Sequence, residues 1–223
     1  MLQVSALCCV RGEREIFHDL SFSVGAGEWV HARGENGAGK TTLLKALCGL
    51  LRPAAGAVTW NGQPLGDIRD EYHRALAYLG HATALKDDMD ASENLRAACA
   101  IADAPPLRGI GEALRMLGLD PSDSAPVRTL SQGQKRRVAL ARLALTPASL
   151  WILDEPLAAL DTGAVASVLE LLDRHLGQGG SLVLTSHQAV DLSRPAREVW
   201  VGTMRENGGS ESIGDGDSPR ASA

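Results

Sequence analysis

The residues best suited to chemistry form a glycine-rich run that ends in a lysine and two threonines. Gly34 and Gly39 flank four residues, and Lys40 and Thr41 follow at once, which fits the phosphate-binding P-loop pattern. Glycines let the backbone wrap closely around an anion, and a helix that begins there presents its positive end to the same anion. The sequence therefore predicts a nucleotide site built from Gly34, Glu35, Asn36, Gly37, Ala38, Gly39, Lys40, Thr41 and Thr42.

Two side chains of this run have separate expected roles. The ammonium of Lys40 can reach the β and γ phosphates and neutralise their charge, so we expect Lys40 to be catalytic. The Thr41 hydroxyl can ligate Mg²⁺, so ATP and Mg²⁺ are the expected cofactors. An ordinary glycine-rich turn is the alternative, but this run follows a predicted strand and precedes a predicted helix, as a P-loop does.

Two adjacent acids, Asp154 and Glu155, follow the apolar segment 150–153 and precede Pro156. A buried strand that ends in carboxylates suits the ligand crevice of an α/β sheet. We expect Asp154 to hold the Mg²⁺ and its waters, and Glu155 to polarise the water that attacks the γ-phosphate. Such acids can also be solvated loop residues, but the P-loop upstream favours a phosphoryl-transfer site.

Alternating strands and helices must position these residues. The patterns predict strands at residues 2–9, 16–24, 28–33, 56–60, 75–79, 150–153 and 181–185, and helices at 40–50 and 163–176. This alternation indicates a parallel sheet covered on both faces. Helical periodicity dominates residues 91–147, which we expect to form an inserted helical lobe within a domain of residues 1–206. The polar, glycine-rich residues 207–223 are expected to be disordered.

Net charge, apolar runs and cysteine spacing limit the partners and the compartment that we expect for this protein. The net charge of −5 gives no electrostatic argument for a nucleic-acid partner. No stretch approaches the roughly 20 apolar residues that span a bilayer, and the first residues lack the pattern of a secretory signal. The four cysteines form no CxxC pair, so we expect them to be small buried apolar residues in a reducing compartment.

A second helix start carries the most distinctive motif. Residues 130–134 read Leu-Ser-Gln-Gly-Gln, and a basic helical segment follows them. Ser131 and Gly133 before a helix form another potential anion site, which one chain does not need for a single nucleotide. The motif resembles the LSGGQ signature of ABC ATPases, with Gln132 in place of a glycine.

The resemblance to ABC ATPases implies both a fold and an assembly. The fold class is α/β, a P-loop NTPase of ABC ATPase type, with a mainly parallel core sheet, an antiparallel N-terminal β-subdomain and an inserted helical lobe. The implied assembly is a head-to-tail homodimer, in which Ser131, Gly133 and Gln134 of one subunit contact the nucleotide held by Lys40 of the other.

Four further residues acquire roles from the same resemblance. Asp161 occupies the D-loop position, and His187, which follows the strand at 181–185, matches the histidine that contacts the γ-phosphate. His81 replaces the usual Q-loop glutamine and could hydrogen-bond a metal-bound water. Arg11 occupies the place of the aromatic residue that stacks on adenine, and a guanidinium plane can also stack on a base; Phe17 is the alternative.

Several strings resemble one branch of this family, the ATP-binding subunits of cytochrome c maturation (haem exporter) systems. They lie at residues 69–73, 78–81, 93–95, 151–156 and 185–188, although Ala82 stands where that branch commonly has glutamine. The resemblance implies a peripheral protein on the cytoplasmic face of a bacterial inner membrane, bound to integral membrane subunits. The alternatives are another ABC exporter, a soluble ABC protein acting on ribosomes or DNA, and a nucleotide-dependent assembly module.

Overall fold

The computed structural model describes residues 1–102 and 105–202, and the predicted tail at 207–223 lies outside this range. The described elements, in chain order, are β1 (Leu2–Arg11), β2 (Arg14–Val24), β3 (Trp29–Arg33), α1 (Lys40–Leu47), β4 (Ala55–Trp60), β5 (Gln63–Pro64), α2 (Arg69–Ala75), β6 (Leu76–Leu79), α3 (Ala91–Ala102), α4 (Ile110–Met116), a 3₁₀ turn (Val127–Thr129), α5 (Gln132–Leu145), β7 (Leu150–Asp154), α6 (Thr162–Gly177), β8 (Ser181–Thr185) and β9 (Arg197–Trp200).

An antiparallel sheet forms the N-terminal part of the fold. Among the described residues it has the strand order β2-β1-β4-β5, and β1 pairs with both β2 and β4. Register shifts occur near Ala6 in β1 and Asp19 in β2, two non-glycine residues with φ of 44° and 51°. Such bulges bend and twist a strand. Because β1 pairs antiparallel with both β2 and β4, this sheet confirms the antiparallel β-subdomain that the family resemblance implied.

The second sheet is parallel and carries the site. Its order among the described residues is β6-β7-β8-β3-β9, and the ladders between neighbouring strands are parallel. Parallel strands place their carboxyl ends at one edge of the sheet, where α/β proteins bind ligands. The P-loop after β3, the acids at the end of β7, and the loops after β6 and β8 therefore meet at that edge.

Apolar side chains cover both faces of the parallel sheet. Strand β7 shows the alternation expected of a strand, because Leu150 and Ile152 pack on the side of α1, whereas Trp151 and Leu153 pack on the side of α5 and α6. Strand β7 is buried along its whole length, as a central parallel strand must be when helices cover both faces. These layers confirm the predicted α/β class.

Helices α3, α4 and α5 pack against one another and occupy the segment where the sequence predicts a lobe. Leu95, Leu114 and Leu140, one from each helix, are fully buried in the same cluster that covers β7. In the described part of the chain, none of the helices has the length and hydrophobicity needed to span a bilayer.

Three details differ from the sequence-based expectations. Helix α1 ends at Leu47, and not at residue 50, because Gly49 has φ of 69° and the Leu50 N–H donates to Lys45 O at 2.9 Å, which closes the helix in a Schellman motif. Elements β5, α2 and β9 were not predicted. Cys9 and Cys48 are buried as expected, and burial raises the pKa of the Cys48 thiol to about 12, whereas Cys8 and Cys99 are only partly buried.

Candidate functional site

The P-loop lies between β3 and α1 and depends on glycine at two positions. Gly34 has φ of 153°, and a Cβ there would lie 2.5 Å from Val201 O. Gly39, which precedes the helix, has φ of 103°, and a Cβ there would lie 2.1 Å from Ile16 Cγ2. Any side chain would therefore strain the backbone and collide with Val201 at the first position or with Ile16 of β2 at the second. Between these two positions, a Cβ on Gly37 would meet no atom of the described residues within 4 Å, so the middle of the loop is open to a ligand.

The Lys40 ammonium lies over this loop. Its Nζ donates to Gly34 O at 2.7 Å and to Glu35 O at 3.2 Å. Both acceptors belong to the start of the loop, so the side chain folds back across it from the first turn of α1. This geometry places a positive charge beside the loop's backbone N–H groups, as binding of a polyphosphate requires.

Asp154 connects the P-loop helix to the neighbouring strand. Its side chain is buried, its Oδ2 accepts from Thr41 Oγ1 at 2.8 Å, and its Oδ1 accepts from Thr185 Oγ1 at 2.8 Å. A hydroxyl and a carboxylate oxygen, both hard ligands, suit Mg²⁺. The described residues contain no cluster of three or more His, Cys, Asp or Glu side chains that could hold a metal. Thr41 and Asp154 are the residues whose oxygens would hold a magnesium ion here, and such an ion would stabilise negative charge on a bound phosphate.

Glu155 has an unusual backbone and a partly unsatisfied carboxylate. Its φ is 50°, a left-handed conformation that non-glycine residues rarely adopt. Its N–H donates to Thr185 Oγ1 at 3.0 Å, and its Oε2 accepts from the His187 N–H at 3.1 Å. Its Oε1 is buried and has no hydrogen-bond partner in the described part of the molecule. That oxygen is consequently available to accept a hydrogen bond from a water molecule.

His187 completes this group from the loop after β8. Its Nε2 lies 3.6 Å from Glu155 Oε1, and more than half of its side chain is exposed, so the ring faces both the acid and the open site. His31 of β3 contacts the same loop, because its Nε2 lies 3.2 Å from Ser186 O. Burial lowers the pKa of His31, which favours the neutral ring as a donor to that carbonyl.

Sequence reasoning missed Thr185 and His31. Both are polar residues within otherwise apolar strands, and each lies on a strand that ends at the site. A polar residue at such a place must find a hydrogen-bond partner when it is buried, and that requirement was the available signal. Their partners, Asp154 and Ser186, lie far away in sequence, so the sequence did not reveal which groups they hold.

The signature segment forms a capped helix start. Ser131 is the N-cap of α5, its Oγ accepts from the Gln134 N–H at 3.1 Å, and Gln134 Oε1 accepts from the Ser131 N–H at 2.8 Å. This reciprocal pair is a capping box. A Cβ on Gly133 would lie 2.6 Å from Ala159 O, so glycine there lets the loop after β7 pack directly on the helix start.

The other predicted residues lie at more peripheral positions. Asp161 is the N-cap of α6, where its Oδ1 accepts from the Ala164 N–H at 2.8 Å. His81 is exposed on the loop after β6, and Arg11 is exposed at the end of β1. Phe17, the alternative to Arg11 for stacking on adenine, is 1% exposed and belongs to the core. Burial therefore excludes Phe17, and Arg11 stays the predicted adenine contact.

The comparison with known protein families agrees with this geometry. Residues 17–158, more than half of the chain, match the family described as ABC transporter. The chain belongs to the ABC transporter family. The matched segment includes the P-loop, the signature segment and both site acids, so this ABC transporter protein is an ATPase of the kind that couples hydrolysis to transport.

Individual relatives of this ABC transporter protein cover most of its length. The cytochrome c biogenesis ATP-binding export protein CcmA of Shigella flexneri is 48% identical over 193 residues, which span 86% of this chain and 92% of that protein. Among solved structures, an ATP-binding subunit of an ABC transporter is 30% identical, with a TM-score of 0.75 over 84% of this chain and 79% of that one. A putative ABC transporter ATP-binding protein from Pyrococcus furiosus is 25% identical, with a TM-score of 0.76 over 90% and 96%.

Proposed function

We propose that this chain is the ATP-hydrolysing subunit of a bacterial ABC transporter complex that serves cytochrome c biogenesis through haem export. The observation that carries the pathway is the 48% identity to CcmA, which extends over 92% of that protein and not merely over the motifs that all such ATPases share. Two observations support hydrolysis, namely the buried Oε1 of Glu155, which accepts no hydrogen bond from the described residues, and the hydrogen bond from Thr41 of the P-loop helix to Asp154.

In the proposed reaction the P-loop amides and Lys40 bind the phosphates of ATP and neutralise their charge. Thr41 and Asp154 would hold a magnesium ion, which supplies further charge stabilisation when it is bound. Glu155 orients a water molecule through Oε1 and accepts its proton, while His187 stabilises the γ-phosphate from the loop after β8.

The proposed assembly is a head-to-tail homodimer. The capped start of α5, with Ser131 and Gly133, is a second anion site. Within the described residues no hydrogen bond joins Ser131 to the P-loop of the same chain. Two chains related by a twofold axis would bring each P-loop against the partner's helix start, with Gln134 and Asp161 in the contact. Arg11 would stack on adenine, and His81 would hydrogen-bond a metal-bound water.

The dimer is tested by trapping it. Glu155→Gln preserves the size of the side chain but removes the proton acceptor, so hydrolysis falls by about 10²–10⁴-fold and the closed, ATP-bound dimer accumulates. Size-exclusion chromatography with ATP and Mg²⁺ should show a dimer for this variant. The matched control is Glu170→Gln, the same change at a mostly exposed glutamate of α6, which should leave the elution unchanged. A monomeric Glu155→Gln protein that binds ATP would contradict the head-to-tail assembly.

The proposed partners are the integral membrane subunits of the same transporter, with this chain peripheral to them on the cytoplasmic face of the inner membrane. Complementation tests both pathway and chemistry. The wild type, Glu155→Gln and Glu170→Gln are expressed in a bacterium that lacks its own cytochrome c maturation ATPase, and covalent haem in c-type cytochromes is measured. Rescue by the wild type and Glu170→Gln alone supports the proposal. Rescue by all three favours an assembly module in which ATP binding suffices, and rescue by none contradicts the haem pathway.

A further inference from the structure

An arginine beside the signature segment lies buried within the catalytic edge of the sheet. Arg136 of α5 is 5% exposed, and its guanidinium donates only to backbone carbonyls among the described residues. The acceptors lie in the loop after β6, at the end of β7 and in the loop that follows β7, and they are Gly80 O at 2.9 Å, His81 O at 3.4 Å, Asp154 O, Glu155 O at 2.8 Å and Pro156 O at 3.5 Å.

The burial of the Arg136 charge costs free energy, so overall stability alone does not explain it. Burial removes the Arg136 guanidinium from water. No salt bridge of Arg136 occurs within residues 1–102 and 105–202. A buried charge that lacks a close counter-ion loses its hydration and recovers part of it through carbonyl dipoles. The planar guanidinium, however, hydrogen-bonds several backbone carbonyls at once and so fixes their relative positions.

The carbonyl that matters most is that of Glu155. Its left-handed φ of 50° is a disfavoured conformation, which persists only where surrounding groups over-determine it. Thr185 Oγ1 holds the N–H of Glu155 at 3.0 Å, and Arg136 holds its carbonyl oxygen at 2.8 Å. Release of the carbonyl would let the backbone relax towards an ordinary φ and would turn the carboxylate away from His187.

The same guanidinium reaches the loop after β6. Its Nη1 donates to Gly80 O and His81 O, the loop that leads from the parallel sheet towards α3 of the lobe. Arg136 itself lies on α5, the helix whose start is the capped signature segment. A shift of α5 or of this loop is therefore transmitted to the backbone of the catalytic acid through one side chain.

We propose that Arg136 is a positioning residue, which holds Glu155 in its catalytic conformation and couples it to the loop at Gly80 and His81. The proposal rests on the proposed ATPase function of Glu155. Arg136 lies outside the P-loop and is not one of the site residues that the sequence predicts. Arg136 contacts no nucleotide in this scheme and acts only through the backbone of another residue.

Arg136→Met tests the proposal, because methionine fills a similar space without hydrogen-bond donors. We expect kcat for ATP hydrolysis to fall by about 10²-fold, the scale associated with a displacement of about 1 Å at a reacting group. The affinity for ATP in the absence of Mg²⁺ should be unchanged, because the P-loop is not touched. Arg136→Lys keeps the charge and part of the donation, so its kcat should lie between the two.

The neighbouring arginine provides a matched control. Arg137 lies on the same helix, and its Nη1 donates to Leu117 O at 3.3 Å and Gly118 O at 3.0 Å, two carbonyls inside the lobe. Arg137→Met therefore removes an arginine that holds backbone carbonyls but is not joined to the catalytic loop. It should lower the thermal midpoint without lowering kcat. Equal losses of kcat in Arg136→Met and Arg137→Met would overturn the proposal.

A double-variant cycle separates this proposal from the proposed function. If Arg136 acts through Glu155, Arg136→Met should cause no further loss of activity in a Glu155→Gln background. A full additional 10²-fold loss there would show that Arg136 acts by another route and would overturn the proposal. If Arg136→Met does not fold, Arg136→Lys is read in the same cycle. An unchanged kcat in Glu155→Gln alone would refute the assignment of Glu155 and, with it, the proposal that Arg136 acts through that residue. The two failures are distinguishable, because a low kcat in Glu155→Gln with a further loss in the double variant overturns the Arg136 proposal alone.

Discussion

The replacement of Thr185 by valine tests whether one buried hydroxyl holds both acids of the site. Thr185 is fully buried at the end of β8, where its Oγ1 donates to Asp154 Oδ1 at 2.8 Å and accepts from the Glu155 N–H at 3.0 Å. Valine has nearly the same shape, so the change removes the hydroxyl and little else. It leaves a buried carboxylate oxygen and a backbone N–H without their partner, which costs more than the loss of an exposed hydrogen bond.

The expected magnitude follows from the two contacts. A hydrogen bond to a charged group contributes about 1.5–3 kcal/mol, and a neutral one about 0.5–1.5 kcal/mol. Thr185→Val should therefore lower the free energy of unfolding by roughly 2–4 kcal/mol. For a domain of this size each kcal/mol lowers Tm by about 2–4 °C. Since Glu155 also loses the anchor of its N–H, kcat should fall, while ATP affinity without Mg²⁺ stays unchanged.

Urea unfolding followed by circular dichroism at fixed pH measures this effect. Thr185→Ser keeps the hydroxyl and should recover most of the stability and the activity. Ser181→Ala is the matched control at the other end of β8, because Ser181 Oγ donates one neutral hydrogen bond to Gly25 O at 2.7 Å, worth about 1 kcal/mol. If Thr185→Val costs no more than Ser181→Ala, with the same dependence on urea, the reasoning about the two acids is refuted.

Two further predictions concern the signature segment and the buried histidines. Gly133→Ala should weaken ATP-driven dimerisation of the Glu155→Gln protein in size-exclusion chromatography without loss of ATP binding, because its Cβ would meet Ala159 O at 2.6 Å. Gly177→Ala is the control, since a Cβ there meets no described atom within 4 Å and dimerisation should stay intact. Equal dimerisation of the two variants would contradict this reasoning. Burial lowers the pKa of both His31 and His175, so the unfolded chain binds protons more readily than the folded one, and the free energy of unfolding should fall as the pH drops below about 6.5. Urea titrations at several pH values should show a smaller fall for His175→Gln, and an identical fall would count against this account.

The elements missed by sequence reasoning share one property, which is that their local patterns are weak. In β9 only Val199 is buried, so its alternation is short and polar, and its place depends on the ladder to β3. In α2 only Tyr72 is buried, among charged neighbours that are typical of a surface loop. Strand β5 has two residues and exists because it pairs with β4. Pairing with a distant strand is a tertiary event that a local pattern does not contain.

The residues of the candidate site likewise fall into two groups, those with local requirements and those whose partners lie far away in sequence. The P-loop was predictable because its requirements are local, namely glycines that tolerate the backbone conformation, then a lysine and a threonine at the helix start. The start of α5 was predictable for the same reason, since Ser131 directly precedes the helical segment, whereas its capping box with Gln134 became visible only in the structure. By contrast, Thr185, His31 and Arg136 act on groups that are far away in sequence.

The sequence by itself determined which segments could bind phosphate, carry the two acids and start the signature helix. Only the tertiary structure decided that β8 lies beside β7, so that Thr185 reaches both acids, and that α5 presents Arg136 to two loops. The physical reason is that backbone conformation and capping are set within a few residues. The partner of a buried polar group, however, is set by which strands and helices pack together, and that choice belongs to the whole chain.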